Sequence, residues 1–312
     1  MSYRIKTHGR VGPTLQRVAD EEISAAQAEL RALGNEDIGE AVHEARKHFK
    51  KLRALVQLLR EPLGPKCVRE ELAFYRDLGR TFHRLRDAQA QVAALEKLTG
   101  RFFEKRRPLV VLAVRRILTA DEQRARRTLE KSVVRDGALA SLCEARERAA
   151  KWELGDYRWK DLRSALRRSY RRARESWRQA RSEPKPRRLH DWRRNTKDLY
   201  YHLCLAYRAA PDFLDEVTGE LEILGEFLGD DHDLVGLRKH CRQAPEGPSR
   251  DALLEMLALR REELLDAAFD LAGRVFAESP SEFIAALDER RDEHRRLRKK
   301  ERRVAERLEA LG

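Results

Sequence analysis

Helical periodicity covers almost the whole chain. Apolar residues recur at intervals of three and four over long segments, and Pro or Gly residues separate these segments. No segment alternates convincingly between apolar and polar residues with the period of two that a half-buried β-strand shows. With only 16 Gly and 10 Pro in 312 residues, a loop-rich or all-β protein is disfavoured. The sequence therefore predicts an all-α protein built from long amphipathic helices.

Two segments that lie 147 residues apart share one pattern. Val42–Leu52 and Leu189–Leu199 each contain a His, an Arg three residues later, a second basic residue next to that Arg, and a Lys seven residues after the His. A second pair of matches follows, because Leu78-Gly79 with Asp87 corresponds to Leu224-Gly225 with Asp233 at an offset of 146 residues. Two matches at nearly the same spacing predict a tandem duplication of a helical unit.

The duplication predicts an arrangement of the chain into two halves. Residues 10–136 would form the N-terminal helical half and residues 158–280 the C-terminal half. Residues 137–157 would connect them, and residues 281–312 would form a highly charged C-terminal helix of near-neutral charge balance, solvated and salt-bridged.

Each of the two matching segments has a cationic helix face. At about 100° per residue, the basic residues gather around the His, and the apolar residues gather on the opposite side. Like charges on one face repel by a few tenths of a kcal/mol per pair, so an anion that neutralises them explains the pattern best. The residues predicted to face this anion are His43, Arg46, Lys47, Lys50 and Arg53, together with His190, Arg193, Arg194, Lys197 and Tyr201.

One alternative explanation of the cationic faces is internal neutralisation. Acidic residues in and near the first predicted helix could form ion pairs with the basic face, and the candidates are Glu21, Glu22, Glu29, Glu36 and Glu40.

A stripe of arginines precedes the second segment. From Arg158 to Arg208 the chain has 17 Lys and Arg against 5 Asp and Glu. Arginines recur within this stretch at spacings of 4, 4, 3 and 4, at Arg163, Arg167, Arg171, Arg174 and Arg178. We expect this stripe to face the His190 segment across a groove, and we include its first four arginines in the predicted site.

The charge balance indicates a polyanionic partner. The net charge is +13, and Arg accounts for most of the 66 basic residues. Arg binds phosphate oxygens in a planar, bidentate manner. Nucleic acid, an anionic membrane surface and an inorganic phosphate polymer all fit this chemistry. A nearby phosphate also favours protonated histidine, so we expect anion binding to strengthen as the pH falls.

The paired segments resemble the CHAD family, the conserved histidine α-helical domain. The duplicated His-x-x-Arg-basic-x-x-Lys helix at His43 and His190 is similar to its principal signature. Leu78-Gly79 with Arg86-Asp87, and Leu228-Gly229 before Asp233, also resemble the family. The resemblance covers about residues 10–280.

This resemblance implies a fold, a ligand and a location. The fold would be two pseudo-symmetric four-helix bundles around a basic central groove or pore. The ligand would be inorganic polyphosphate, bound without catalysis, and some members associate with polyphosphate granules. Three features depart from the family pattern: Tyr200 stands at the position of Arg53, Asp198 replaces a basic residue, and the first helix is acidic. No Glu-x-Glu-x-Lys motif of the triphosphate tunnel enzymes occurs in the chain.

Other functions fit the sequence less well. Asp230-Asp231-His232-Asp233 resembles a metal site of a phosphohydrolase, but consecutive helical residues point in different directions. Glu40-x-x-His43 is only one of the motifs that a di-iron bundle needs. Nucleic-acid binding is the main alternative, although the basic stripe lacks an interleaved aromatic platform. Membrane-surface binding is disfavoured because the basic faces lack an apolar insertion edge.

The remaining features predict a cytoplasmic protein without a cofactor or metal. No apolar run approaches the roughly 20 residues that span a bilayer, and the sequence MSYRIKTHGR has no secretory signal. The four cysteines, Cys67, Cys143, Cys204 and Cys241, lie far apart and form no CxxC pair. Their spacing is typical of reduced thiols.

Overall fold

The fold is all-α, as the sequence predicts. The computed structural model describes residues 3–5, 10–33, 38–102, 108–129 and 132–309. These residues form eleven α-helices and a short 3-10 turn, Tyr207–Ala209, and contain no β-strand. The helices are α1 (Val11–Ala32), α2 (Ile38–Leu58), α3 (Arg60–Thr81), α4 (His83–Phe102), α5 (Leu109–Leu129), α6 (Ser132–Ala150), α7 (Trp159–Ser182), α8 (Pro186–Ala206), α9 (Pro211–Cys241), α10 (Pro248–Val275) and α11 (Pro280–Glu309).

Prolines begin four of these helices. Pro186, Pro211, Pro248 and Pro280 are the first residues of α8, α9, α10 and α11. The first turn of a helix leaves its N–H groups without an intrahelical partner, and the fixed φ of Pro suits a helix start. The Pro positions in the sequence therefore locate these four starts correctly.

Unbroken helical periodicity over residues 66–98 predicts a single helix there, but this prediction is wrong, because two helices cover the region. α3 ends at Thr81, and Phe82 separates it from α4. Phe82 is fully buried and packs against Phe49 of α2, with ring centroids 6.4 Å apart. α3 also begins earlier, at Arg60, and is kinked at Gly64, where φ is +73°. Only Gly adopts this conformation without strain.

The Asp-Gly pair at Asp136-Gly137 predicts a helix break, and this prediction is also wrong. Both residues lie inside α6, which continues to Ala150. A Gly costs about 1 kcal/mol in a helix interior, which tertiary packing easily outweighs. Gly34-Asn35 predicts another helix break. This pair and the acidic candidate Glu36 lie outside the described residues.

The helices pack in pairs, both among α1–α6 and among α7–α11, and further contacts join these two groups. α1 packs against α2 and α6, and α7 packs against α8 and α11. α4 packs against α5, and α9 packs against α10. Contacts of α2 with α8 and of α4 with α9 join the two groups. The two pseudo-symmetric bundles and their residue boundaries stay predictions.

The larger hydrophobic core is continuous from α1 to α11. It includes Leu15 of α1, Phe49 of α2, Tyr170 of α7, Trp192 of α8 and Leu287 of α11, each 0–2% exposed. A smaller core joins α4 and α5 to the end of α9 and the start of α10. The helices that carry both His motifs are therefore parts of one packed unit.

A buried histidine fixes α8 against α2 and α7. His202 Nε2 lies 2.7 Å from the Ala54 carbonyl oxygen, and its Nδ1 lies 2.7 Å from the Ser169 hydroxyl. A carbonyl can only accept, so Nε2 donates and Nδ1 accepts from Ser169. Burial lowers the pKa of His202 to about 4, which keeps the ring in this neutral form.

Candidate functional site

The core packing of α2 and α8 orients their basic faces. Phe49 and Leu52 are buried on one side of α2. On α8, Leu199 is buried, and Trp192 stacks on Phe269 with ring centroids 5.0 Å apart. Because the basic residues lie on the other side of each helix, the α2–α8 contact brings them toward each other. The amphipathic pattern that the sequence shows is the direct cause of this placement.

Five cations from three helices lie near one another where α2 contacts α4 and α8. The Lys50 ammonium is near Arg46 of its own helix, Arg86 of α4, and Arg193 and Lys197 of α8. Solvent reaches Lys50, whereas the other four side chains are half-buried. The surrounding protein and these four charges lower the pKa of Lys50 to about 7. We call these five residues, Arg46, Lys50, Arg86, Arg193 and Lys197, the central cluster.

Within the described residues, no carboxylate forms an ion pair with a member of the central cluster. Asp87 and Asp233 lie near Arg193, and burial raises the pKa of Asp233. The buried Nε atoms of Arg46 and Arg193 have no hydrogen-bond acceptor among those residues. A buried donor without an acceptor is costly. The cluster is therefore cationic and incompletely satisfied, as a site for an anion would be.

Two glycines of α9 make room for the cluster. A Cβ at Gly225 would lie 2.7 Å from both Cε and Nζ of Lys197, and a Cβ at Gly229 would lie 3.8 Å from an Arg193 guanidinium nitrogen. The side chains of Lys197 and Arg193 thus run across the glycine face of α9. The Leu-Gly matches in the sequence pointed to these positions without indicating their role.

The two motif histidines lie at the margins of the cluster. His43 is near Arg86, and both burial and this charge lower its pKa. His190 is exposed and lies beside His232 of α9, with ring centroids 5.8 Å apart. The surrounding protein and the nearby arginines lower the pKa of His190 and of His232. Arg193, His190 and His232 also line a cavity of about 140 Å³.

The prediction from sequence omitted two groups that the structure brings to the site, Arg86 and His232. These residues occupy matching positions, each directly before Asp87 or Asp233 at the offset of 146 residues. The match was visible in the sequence, but only the packing of α4 and α9 against α2 and α8 shows its importance.

Other predicted site residues have partners of their own. Lys47 donates to Glu44 at 2.7 Å, and Arg194 lies 3.1 Å from Asp191. Arg53 lies near Asp198, whose pKa is raised by burial to about 6 although Arg53 opposes this shift. Tyr201 packs edge to face on Tyr3, with ring centroids 6.1 Å apart. These residues flank the central cluster.

Besides the Lys47–Glu44 pair within α2, a carboxylate of α1 neutralises part of the α2 basic face. Glu22 of α1 is 1% exposed, and its carboxylate lies 2.5 Å from His48 Nδ1 and 3.2 Å from Lys51 Nζ. The alternative explanation from the acidic first helix is therefore correct for Lys51. It does not extend to Lys50, which is one residue away on the helix.

The predicted direction of the arginine stripe is wrong. Arg163 donates to Asp288 of α11 at 2.7 Å, and Arg167 donates to Ser281 at 2.6 Å. Arg174 donates to the Phe276 carbonyl at 2.9 Å, at the end of α10, and Arg171 is exposed. This stripe contacts α11 and the segment before it, because the opposite flank of α7 packs on α8. On that flank Arg172 lies near Asp198 and Arg194 of α8, whereas Arg168 lies 2.8 Å from Glu61 of α3.

The two metal-site alternatives do not fit the geometry. Asp230 lies 2.9 Å from Lys97 of α4, Asp231 lies 2.7 Å from Arg261 of α10, and His232 faces His190. Asp230, Asp231 and His232 thus face three different neighbours, as helical geometry predicts. Within the described residues, no three His, Cys, Asp or Glu side chains are placed to hold a metal ion.

The fold and the site together define an all-helical protein with an unneutralised cationic centre. The family model of the CHAD domain matches residues 17–242. The chain therefore belongs to the CHAD family, and the match includes both His segments. A comparison with curated proteins finds no match. Among the described residues, no helix has the length and apolarity that crossing a membrane requires.

Proposed function

We propose that this protein binds inorganic polyphosphate at the central cluster and does not hydrolyse it. The observation that supports this most directly is the convergence of five cations from α2, α4 and α8 without an ion-pair partner among the described residues. Membership of the CHAD family is consistent with a function related to polyphosphate. The proposal includes a cytoplasmic location and association with polyphosphate granules.

Binding would be electrostatic. Polyphosphate carries about one negative charge per phosphate and has no nucleobases. A site that binds it therefore needs cations at suitable distances from one another and no groups that recognise bases. Arg46, Arg86 and Arg193 supply forked donors, and Lys50 and Lys197 supply compact charges. Several contacts of about 1–3 kcal/mol each, reduced by ordering costs, suffice for micromolar or tighter affinity. Release of the counterions of the polymer makes the affinity fall as salt rises.

The test compares two triple variants that each remove three positive charges. Lys50→Ala/Arg193→Ala/Lys197→Ala removes the middle of the central cluster. Lys66→Ala/Arg69→Ala/Arg116→Ala removes three exposed charges elsewhere and is the control. In titrations with long polyphosphate at fixed salt and pH, we expect the cluster variant to lose at least 10-fold in affinity and the control to stay within about 2-fold of wild type.

Three further measurements make this test decisive. Circular dichroism checks that both variants keep their helical content. Duplex DNA competes for the same protein, and preference for DNA over polyphosphate would favour the nucleic-acid alternative. Incubation with long polyphosphate should release no phosphate. Equal affinities of the two variants would remove the central cluster from the proposal, and phosphate release would contradict its non-catalytic part.

A further inference from the structure

A second basic cavity lies outside the central cluster, at the far end of α11. It has a volume of about 1210 Å³ and is bounded by the C-terminal part of α11, the start of α1, the 3-10 turn after α8, and the loop before α7. It shares no lining residue with the central cluster. Most of its basic wall belongs to α11, which follows the part of the chain that the CHAD model matches.

The cavity is strongly cationic. Nine Arg and Lys side chains line it, against the two carboxylates of Asp156 and Glu301. The side chains of five of these residues form no hydrogen bond or ion pair within the described part of the chain, and they are Arg10, Arg208, Arg295, Arg296 and Lys299. Three lining arginines have carboxylate partners: Arg302 lies 3.1 Å from Glu306, Arg291 lies 3.4 Å from Asp292, and Arg298 lies 3.9 Å from Glu301. The carboxylates of all three pairs are more than half exposed, so these pairs are weak.

The fold holds α11 in place over this cavity. Phe283 and Leu287 of α11 are buried in the main core. Asp288 accepts hydrogen bonds from Trp159 Nε1 at 3.0 Å and from Arg163 at 2.7 Å. Arg291 then lies over the Trp159 ring, 4.4 Å from its centroid. The arginine stripe of α7 thus attaches α11, and the next turns of α11 carry their charges along the cavity wall.

This arrangement is unfavourable without a ligand. Arg291, Arg295 and Lys299 follow one another at intervals of four residues, so like charges face each other along the helix. The surrounding protein and the charge of Arg295 lower the pKa of Arg291. An anion in the cavity would relieve this repulsion.

The chemistry of the lining favours phosphoryl groups. Eight of the nine lining cations are Arg, whose planar fork matches phosphate oxygens. The volume exceeds the roughly 300–1,000 Å³ of common small-molecule sites, which leaves room for more than one phosphoryl group. We propose that this cavity is a second anion site, which binds a compact oligophosphate independently of the central cluster.

The experiment uses a matched pair of variants in one helix. Arg295→Ala/Arg296→Ala/Lys299→Ala removes three charges that line the cavity. Arg290→Ala/Lys300→Ala/Arg303→Ala removes three exposed charges of α11 that do not line it. Titration with inorganic triphosphate should show at least a 10-fold loss of affinity at this site for the cavity variant and a change within about 2-fold for the control. Equal affinity of the two variants would overturn the proposal.

The central-cluster variant separates this proposal from the proposed function. Because the two sites share no residue, Lys50→Ala/Arg193→Ala/Lys197→Ala should still bind triphosphate at the cavity. Loss of all triphosphate binding in that variant would overturn the second site and leave the proposed function intact. Loss of long-polyphosphate affinity only in the cavity variant would contradict the proposed function and support the cavity.

A titration with ATP tests whether the cavity recognises linked phosphoryl groups alone or a nucleoside attached to them. Comparable affinities for ATP and triphosphate would support recognition of linked phosphoryl groups, whichever molecule supplies them. Binding of ATP without any binding of triphosphate would overturn the proposal, because it would show recognition of the nucleoside.

Discussion

Lys50 is the cation whose charge depends most on its neighbours. Its pKa is lowered to about 7, so the free protein at neutral pH holds the proton of this residue only part of the time. The unfolded chain keeps this proton up to a pH near 10.4. Between these two pH values the unfolded chain holds more protons than the folded protein, so stability falls as the pH drops from about 10.4 to about 7 and then levels off, unless a bound anion stabilises the charged form of Lys50.

We expect polyphosphate binding to take up a proton at pH 7.5–8. A bound anion raises the pKa of Lys50 back toward its ordinary value, so affinity should increase as the pH falls from 9 to 6.5. Isothermal titration calorimetry in buffers of different ionisation enthalpy measures this uptake directly. His43 and His190 contribute less in this window, because their pKa values are lowered and lie further below it.

The control for this prediction is Lys50→Arg, which keeps the charge at every pH in the range. This variant should bind with little proton uptake and a flatter pH profile. Proton uptake equal to that of wild type would assign the effect to another group.

Gly225 should be needed for the position of Lys197 and not for the fold. In Gly225→Ala, the new Cβ would meet the flexible end of the Lys197 side chain at 2.7 Å, so that side chain must move. We expect about a 5-fold loss of polyphosphate affinity with a melting temperature equal to or above that of wild type. Gly219→Ala on the same helix is the control, since nothing lies within 4 Å of its Cβ.

The control should gain up to about 1 kcal/mol of stability from the better helix propensity of Ala, with unchanged affinity. Unchanged affinity in Gly225→Ala as well would show that the approach of Lys197 to α9 has no part in binding.

At the scale of helices, α7 shows where inference from sequence reaches its limit. The spacing of its arginines correctly predicts a charged stripe, but Arg lines both flanks of its buried face. The periodicity of one helix does not indicate which flank faces a groove and which faces another helix. The docking of α11, through Asp288 and Ser281, decides this. By contrast, α2 and α8 each have one buried apolar side, so periodicity alone places their basic residues on the other side of each helix.

The α1–α2 contact depends on one buried carboxylate. Glu22→Gln removes the charge that His48 and Lys51 of α2 share. Breaking a buried ion pair from one side costs about 3 kcal/mol, so chemical denaturation should show a loss of that order. Glu29→Gln, on the same helix and without an ion pair within the described residues, should change stability by less than about 0.5 kcal/mol. Equal stability of the two variants would show that Glu22 contributes no more than a surface residue.

For the whole molecule, patterns in the sequence predict the helix class and the two basic faces, because both follow from amphipathic periodicity. They do not predict the α3–α4 boundary, which depends on the packing of Phe82 against Phe49. They also do not bring Arg86 and His232 to the site, because that requires the positions of α4 and α9. These features depend on contacts between helices that are far apart in the sequence, and a local pattern contains no information about such contacts.

The continuous core also determines how short a working fragment of this protein can be. Phe283 stacks on Tyr170 with ring centroids 4.3 Å apart and lies 5.7 Å from Phe213. A fragment that ends at residue 242 would lack α10 and α11. Without Phe283, the rings of Tyr170 and Phe213 would lose this aromatic contact and become more exposed to solvent. The packed core therefore extends to at least Leu287, well beyond the last residue that the family model matches.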